Sequence, residues 1–344
     1  MEFLYSTISS KLERGSALVV ARVIRQQGSA PRPVGAMCII LPDGSLYGSV
    51  GGGQFEEKVR LQALEIIGQE CAILQSFRLQ NENAANTGMI CGGNVDILLE
   101  NISPDKKEAT VYTRAANVLK QEKNGLLYSL VPETNAAKIE AKSGFMEEEG
   151  KCWGDLPAPQ VLADSKKYWK QPGLVRTETG NLLFVCPVLP EPHLIIFGAG
   201  HISLSLAKLA STIKFRTTIV DDREDFAHPE RFPQAEEIIT SPFELSFEQL
   251  NITPNSYLAI LTRGHLYDRE VLSRALTTQA AYIGMIGSKK KIGAIFDALR
   301  QEGFSEQSLE KVHTPIGVDI GASTPEEISL SIAAELVQVR NKEY

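Results

Sequence analysis

Several glycine-rich segments of this chain stand next to residues able to hold an anion. Gly198-Ala199-Gly200-His201-Ile202-Ser203 follows the apolar run Leu194 to Phe197 and opens a stretch with helical periodicity. In that context two glycines permit a tight turn and close backbone approach, and the helix N-terminus faces a pyrophosphate. Ser203 replaces the third glycine of the usual fingerprint, so the match is partial. Asp221, about twenty residues further on, offers a carboxylate to a ribose 2′-hydroxyl and disfavours a 2′-phosphate. Asp222 follows it, and His201 lies inside the turn itself.

Two further segments of the second half suit anion chemistry. Thr262-Arg263-Gly264-His265 follows the strand Tyr257 to Leu261; Arg263 can fork onto an anion, and His265 can donate or accept a proton. Gly287-Ser288-Lys289-Lys290-Lys291 puts three cations in a first helical turn, against the macrodipole, as a socket for phosphate would. The plainer reading of both is strand-to-helix punctuation with solvated charges. Gly317 to Ala322, glycine-flanked, is expected to line the same cleft.

The first half carries three more candidates. Arg32 is held between Pro31 and Pro33, which lowers the entropy cost of presenting its guanidinium. Gly51-Gly52-Gly53-Gln54 offers unhindered amides at a helix start, a second anion site, with Glu56 in the first turn. Cys91-Gly92-Gly93 sits in a polar loop where a thiol can have a lowered pKa and carry sulfur or a soft metal; an inert thiol is the alternative. Cys91 and His265 are thus the candidates for catalysis. No metal-ligand set stands out: the five cysteines, Cys38, Cys71, Cys91, Cys152 and Cys186, include no C-x-x-C pair.

The elements that must position these residues change character along the chain. Ala17 to Ile24 and Ala36 to Leu41 read as strands, and Pro42-Asp43-Gly44-Ser45 turns the second into Leu46 to Val50. Phe55, Val59, Ala63, Ile66 and Ile67 then recur at helical spacing, closed by Gly68. Ile73 to Leu79 and Val95 to Glu100 read as strands around a long polar loop, and Glu108 to Lys120 as a helix. Ser143 to Pro172, rich in Gly, Pro, Lys and Glu, reads as flexible. From Leu194 strands and helices alternate, which specifies a parallel sheet wrapped by helices. Near the end Thr324-Pro325-Glu326-Glu327 reads as a capped helix start. The expectation is an α/β protein with an N-terminal mixed domain over residues 1–145, a linker with connecting strands over 146–190, and a Rossmann-like, doubly wound parallel sheet over 191–344.

Composition narrows the function classes. A chain of 344 residues with 43% apolar and 22% charged residues has an ordinary globular balance. A net charge of −7 with no long basic block argues against nucleic-acid binding. No run approaches the roughly 20 apolar residues of a membrane span, and Ala17 to Ile24 is broken by Arg22. The first residues lack a secretory pattern, so the protein reads as cytoplasmic. Residues alone leave two classes open: an NAD-dependent oxidoreductase using the second half, and a nucleotide-sensing regulatory partner.

Seven ordered segments also resemble one known family: GSAPRPVGAMCIILPDGSLYGSVGGGQFEEKV, GMICGGNVDILLE, HLIIFGAGHIS, VDDR, TRGHLYD, YIGMIGSKKK and IGVDIGASTPEEISLSIAAEL. On these the chain resembles the XdhC/CoxI family of molybdenum-enzyme maturation factors. The resemblance implies an accessory protein more than a catalyst. Such a protein binds the molybdenum cofactor, a molybdopterin, while a cysteine desulfurase supplies its terminal sulfur, and inserts it into a xanthine dehydrogenase-like enzyme of purine catabolism. It further implies a homodimer; NAD or another nucleotide is the second ligand left open by the Gly198 turn and Asp221 themselves. Many relatives place a cysteine where this chain has Gln54, so Gly51 to Glu56 favours the xanthine branch and leaves Cys91 as the family-matching thiol. Together, the glycine-rich helix starts with Arg32, Arg263 and Lys289 to Lys291 are expected to surround one dianionic pterin phosphate.

Overall fold

A computed structural model describes residues 1–78, 93–156 and 167–342. The chain divides into two compact units, Met1–Pro190 and Glu191–Tyr344.

In the first unit, β1 (Leu18–Gln27), β2 (Met37–Ile40), β3 (Leu46–Gly48), β4 (Ala72–Arg78), β5 (Asn94–Ile102) and β7 (Lys138–Ile139) form one antiparallel sheet in the order β3-β2-β1-β5-β4-β7. The β2–β3 hairpin is the expected one: Gly44 takes a positive φ, and the Ser45 amide donates to Asp43 Oδ1 at 2.9 Å. Alternation along β1 divides its side chains between two cores. Leu18 and Val20 pack with Tyr5, Ile8 and Leu12 of α1 (Glu2–Glu13) and Val111, Tyr112 and Ala115 of α3 (Lys107–Lys120). Val19, Ala21 and Val23 pack with Phe55, Val59, Ala63 and Ile66 of α2 (Gly53–Ile66). Coverage on both faces explains why β1 reads as a nearly continuous apolar run. Arg22 within it is fully buried, 3.3 Å from the buried Glu100 carboxylate and stacked toward the Tyr112 ring.

A second antiparallel sheet in the order β10-β11-β6-β8-β9 comprises β6 (Gly125–Leu130), β8 (Ser143–Glu147), β9 (Cys152–Gly154), β10 (Gly173–Arg176) and β11 (Leu182–Val188). β8 and β9 are ordered strands within the Ser143 to Pro172 stretch expected to be flexible, of which residues 157–166 lie outside the described residues, and β9, β10 and β11 fall within 146–190, the expected linker with connecting strands. All five β8 residues are buried, and β8 pairs with both β6 and β9. Strands of three to five residues are too short to show periodicity, and the glycines in them serve close packing. A Cβ on Gly125 would overlap the Phe145 ring.

The second unit has a single all-parallel sheet in the order β14-β13-β12-β15-β16-β17. Its strands are β12 (His193–Phe197), β13 (Arg216–Asp221), β14 (Glu237–Thr240), β15 (Ser256–Ile260), β16 (Tyr282–Met285) and β17 (Val312–His313). Counted within the unit, that is 3-2-1-4-5-6, the order of dinucleotide-binding doubly wound sheets. Leu194, Ile196, Ile219, Tyr257 and Ala259 face α4 (His201–Thr212) and α9 (Pro325–Lys342). Ile195, Phe197, Val220, Leu258 and Ile260 face α6 (His265–Ala275) and α7 (Lys289–Gln301), with α5 (Phe243–Ser246) and α8 (Glu306–Leu309) as short connectors. The expected α9 cap is present: the Glu327 amide donates to Thr324 Oγ1 at 3.3 Å, and the Thr324 amide to Glu327 Oε2 at 3.0 Å.

Candidate functional site

In an open parallel sheet, ligands sit outside the carboxyl ends of the strands, where the strand order reverses. In the second unit that point lies between β12 and β15. Chain direction brings the expected residues to this edge: Gly198, Gly200 and His201 after β12, Asp221 at the end of β13, Arg263 and His265 after β15, and Ser288 and Lys289 after β16. Gly198 has φ +105°, and a Cβ there would overlap the Leu261 carbonyl, so the first turn lies directly against the end of β15. Gly200 has open space where a Cβ would be. The Ser203 hydroxyl takes the place of the missing third glycine by donating to the Gly198 carbonyl at 2.5 Å.

The four loops differ in what they leave available. Neither α4 nor α6 has a side-chain cap, so their first amides point outward with the positive end of each helix dipole. His201 is exposed at the start of α4. His265 begins α6, and its side chain lies outside the described residues. At α7, Ser288 Oγ caps by accepting from the Lys291 amide at 3.3 Å. The Lys291 ammonium meets the buried carboxylate of Asp268, which also accepts from Thr262 Oγ1 at 2.6 Å. Of the three lysines expected to form a socket, only Lys289 and Lys290 therefore stand exposed. The segment Gly317 to Ala322 follows β17; Val318 is pinned to Ser331 of α9 on both sides, while Asp319 and Ile320 are exposed.

Asp221 is not placed as a ribose acceptor. Its carboxylate is 1% exposed and accepts from the Ala199 amide at 2.7 Å, the Arg223 amide at 3.1 Å, and Arg223 Nε and Nη2 at 2.8 and 2.9 Å. Burial raises its pKa, but the Arg223 fork and the two amides outweigh that and hold the carboxyl below its ordinary value. Asp221 thus fixes the glycine turn from beneath. Asp222 is the acid left facing the edge: Oδ2 accepts from Arg263 Nη2 at 2.7 Å, while Oδ1 is sealed from solvent and accepts no hydrogen bond. The Arg263 guanidinium also reaches the Tyr267 hydroxyl at 3.3 Å and lies 5.1 Å from its ring centre. Both acids were visible at the expected spacing; which one turns inward depends on strand phase and on Arg223.

The first unit brings other candidates together differently. Pro31, next to the exposed Arg32, and Phe55 both lie close against Gly51, and Gly93 lies against the carbonyls of Gln27 and Ser29. The glycine run Gly51 to Gly53 does not offer the free anion nest expected from the sequence. Glu56 reaches back from the first turn of α2, and its Oε1 accepts from the amides of Val50 at 3.0 Å and Gly52 at 3.3 Å. The helix start thus carries an internal carboxylate where an external anion was expected. Cys91 lies outside the described residues. Among the described thiols, burial and the nearby Glu56 charge push Cys38 up to about 12, and burial also raises Cys71 and Cys186. Cys152 is exposed. Among the described residues no three His, Cys, Asp or Glu side chains group to hold a metal ion, and no helix is long and apolar enough to cross a membrane.

Comparison with known proteins agrees with this architecture. Residues 194–336 match the XdhC Rossmann domain, and residues 11–78 match the XdhC and CoxI family. The chain is 26% identical to a Bacillus subtilis protein described as a probable subunit of xanthine dehydrogenase, over 98% of each protein. It is 22% identical to the molybdenum cofactor insertion chaperone PaoD of Escherichia coli, over 96% of this chain and 85% of that one. A crystal structure described as a xanthine dehydrogenase from Bacillus halodurans is similar with a TM-score of 0.80 and 25% identity, over 99% of this chain and 96% of that one. Two family matches that together take in more than half of the residues, one on each unit and the longer on the parallel sheet just described, place this chain in the XdhC and CoxI family.

Proposed function

We propose that this protein is an accessory factor of a xanthine dehydrogenase-like enzyme, and that it holds the molybdenum cofactor as cargo at the carboxyl edge of its parallel sheet. The observation that carries this reading is the convergence at that edge of two uncapped helix starts with Arg263, Lys289 and Lys290. Backbone amides at helix N-termini and fixed cations are what a phosphate monoester dianion requires. Gly200 leaves room for close approach of such a group to the α4 amides. The first unit supplies a different chemistry: Arg32 is exposed, but Glu56 accepts from the Val50 and Gly52 amides and Ser49 Oγ from the Gly51 amide, so the glycine run there is no second phosphate cradle.

The remaining steps belong to the same reading. A cysteine desulfurase supplies the cofactor's terminal sulfur while this protein shields it, a homodimer is the working form, and a molybdenum hydroxylase receives the cargo. None of these roles requires proton transfer by the chain, which fits a carrier. The oxidoreductase alternative loses its main support, because the carboxylate assigned to the NAD ribose, Asp221, is fully engaged within the fold. Loading the purified protein with molybdopterin and following pterin fluorescence through gel filtration tests the proposal. Co-elution at micromolar protein is expected, reduced at least tenfold by Arg263→Gln; no co-elution removes the carrier reading.

A further inference from the structure

The Asp222–Arg263 pair has a particular place in the topology. Asp222 directly follows β13, and Arg263 follows β15. β12 lies between those two strands, so the ion pair spans the glycine turn that emerges from β12. That turn is itself clasped from both sides, by Asp221 on the Ala199 amide and by the end of β15 against Gly198. The pair therefore lies at the carboxyl edge on either side of the turn whose α4 amides a phosphate would approach. The most suitable cation at the edge is committed to an internal carboxylate, whose second oxygen is sealed without a hydrogen bond and lies 4.0 Å from Arg223 Nε.

We propose that the Asp222–Arg263 ion pair is a latch over the glycine turn, opened by a ligand that presents a phosphate to Arg263 and a hydrogen-bond donor to Asp222. This rests on the reading of the edge as a phosphate site and adds its regulation and ligand chemistry. Both partners are partly exposed, 38% for Arg263 and 22% for Asp222, and an ion pair of that kind holds only weakly. A phosphate dianion offers Arg263 a stronger, bidentate partner. Arg263 turning to the ligand leaves Asp222 Oδ2 without its hydrogen-bond donor, with only Arg223 Nε at 4.0 Å from Oδ1, which favours a ligand that carries a donor as well as its phosphate. A ribose hydroxyl and a ring N–H of a reduced pterin are donors of that kind. The latch lowers apparent affinity by the fraction of time it stays closed, so closure about 80–90% of the time corresponds to a five- to tenfold effect.

Titration calorimetry on the full chain with inorganic pyrophosphate, ADP and molybdopterin as separate probes tests the latch. Asp222→Asn keeps the shape but frees Arg263, and a five- to tenfold gain in pyrophosphate affinity is expected. A ligand that donates to Asp222 exchanges a charged acceptor for a neutral one in that variant, so whichever of ADP and molybdopterin is the true class gains less than pyrophosphate does. Arg263→Gln is expected to weaken all three at least tenfold. Loss in Arg263→Gln without gain in Asp222→Asn overturns the latch and leaves the phosphate site standing. Absence of pyrophosphate and molybdopterin binding in both wild type and Asp222→Asn overturns the site itself, and the latch with it.

Discussion

Asp221→Asn separates a structural carboxylate from a ligand-binding one. The asparagine keeps the volume but removes the charge, and it turns an NH2 group toward either the Arg223 fork or the Ala199 amide, where only acceptors fit. Removing one member of a buried, hydrogen-bonded ion pair costs about 3–5 kcal/mol. Arg223 is 30% exposed and can rehydrate in part, which puts the expected loss near the low end, at about 3 kcal/mol. For a unit of this size about 2–4 °C of Tm accompanies each kcal/mol, so the transition of the second unit should fall by about 6–12 °C. Thermal unfolding followed by circular dichroism on the full chain reads this directly. Asp222→Asn is the control, since its partly exposed pair should change stability by less than about 1 kcal/mol. A Tm change below about 2 °C in Asp221→Asn, with loss of nucleotide affinity instead, would refute the assignment and restore Asp221 as a ribose ligand.

Other consequences follow from the same geometry. Gly198→Ala forces a side chain at φ +105° into the Leu261 carbonyl and should cost at least about 2 kcal/mol in urea unfolding, whereas Gly200→Ala meets open space and should stay within about 0.5 kcal/mol. A large cost at Gly200 would mean the turn is packed differently. Glu56→Ala leaves the Val50 and Gly52 amides without their acceptor, so it should cost about 1 kcal/mol and speed hydrogen exchange at those two amides; unchanged exchange would contradict the cap. Asp221 and Glu335 both titrate below their ordinary values in the fold, the latter because bonds from His313, Tyr282 and the Gly317 amide outweigh its burial. Their contribution is therefore complete above the unfolded carboxyl range and is lost as pH falls below about 4; an unfolding midpoint for the second unit that does not fall between pH 5 and pH 3 would contradict it. Iodoacetamide at pH 8 should label Cys152 and leave Cys38 and Cys186 intact in native protein, as peptide mass mapping would show.

Much of the fold follows from local signals. The α2 and α9 periodicities, the β2–β3 turn and the alternation after Leu194 each rest on residues close in sequence, and each element is where the pattern puts it. The two-residue β17 and four-residue β14 give no periodicity, so the sheet's outer strands were not legible. Helix α1 is faint in the sequence although Tyr5, Ile8 and Leu12 repeat at helical spacing, because the segment holds many polar residues among them. The site was legible as loops and not as contacts. Glycine spacing and the two acids pointed to the edge, but the Asp222–Arg263 pair joins residues 41 apart in the chain through the sheet order alone. Glu56 was visible in the first turn of α2, where acids are favoured anyway; its reach to two upstream amides depends on the positive φ of Gly52.

Hydrogen–deuterium exchange on the full chain, with and without molybdopterin, tests the account most directly. Added cofactor should slow exchange in peptides covering 199–204, 263–267 and 287–290, and leave the Val50 and Gly52 amides as they were. Protection confined to residues 50–56, with the edge of the parallel sheet unchanged, would contradict it.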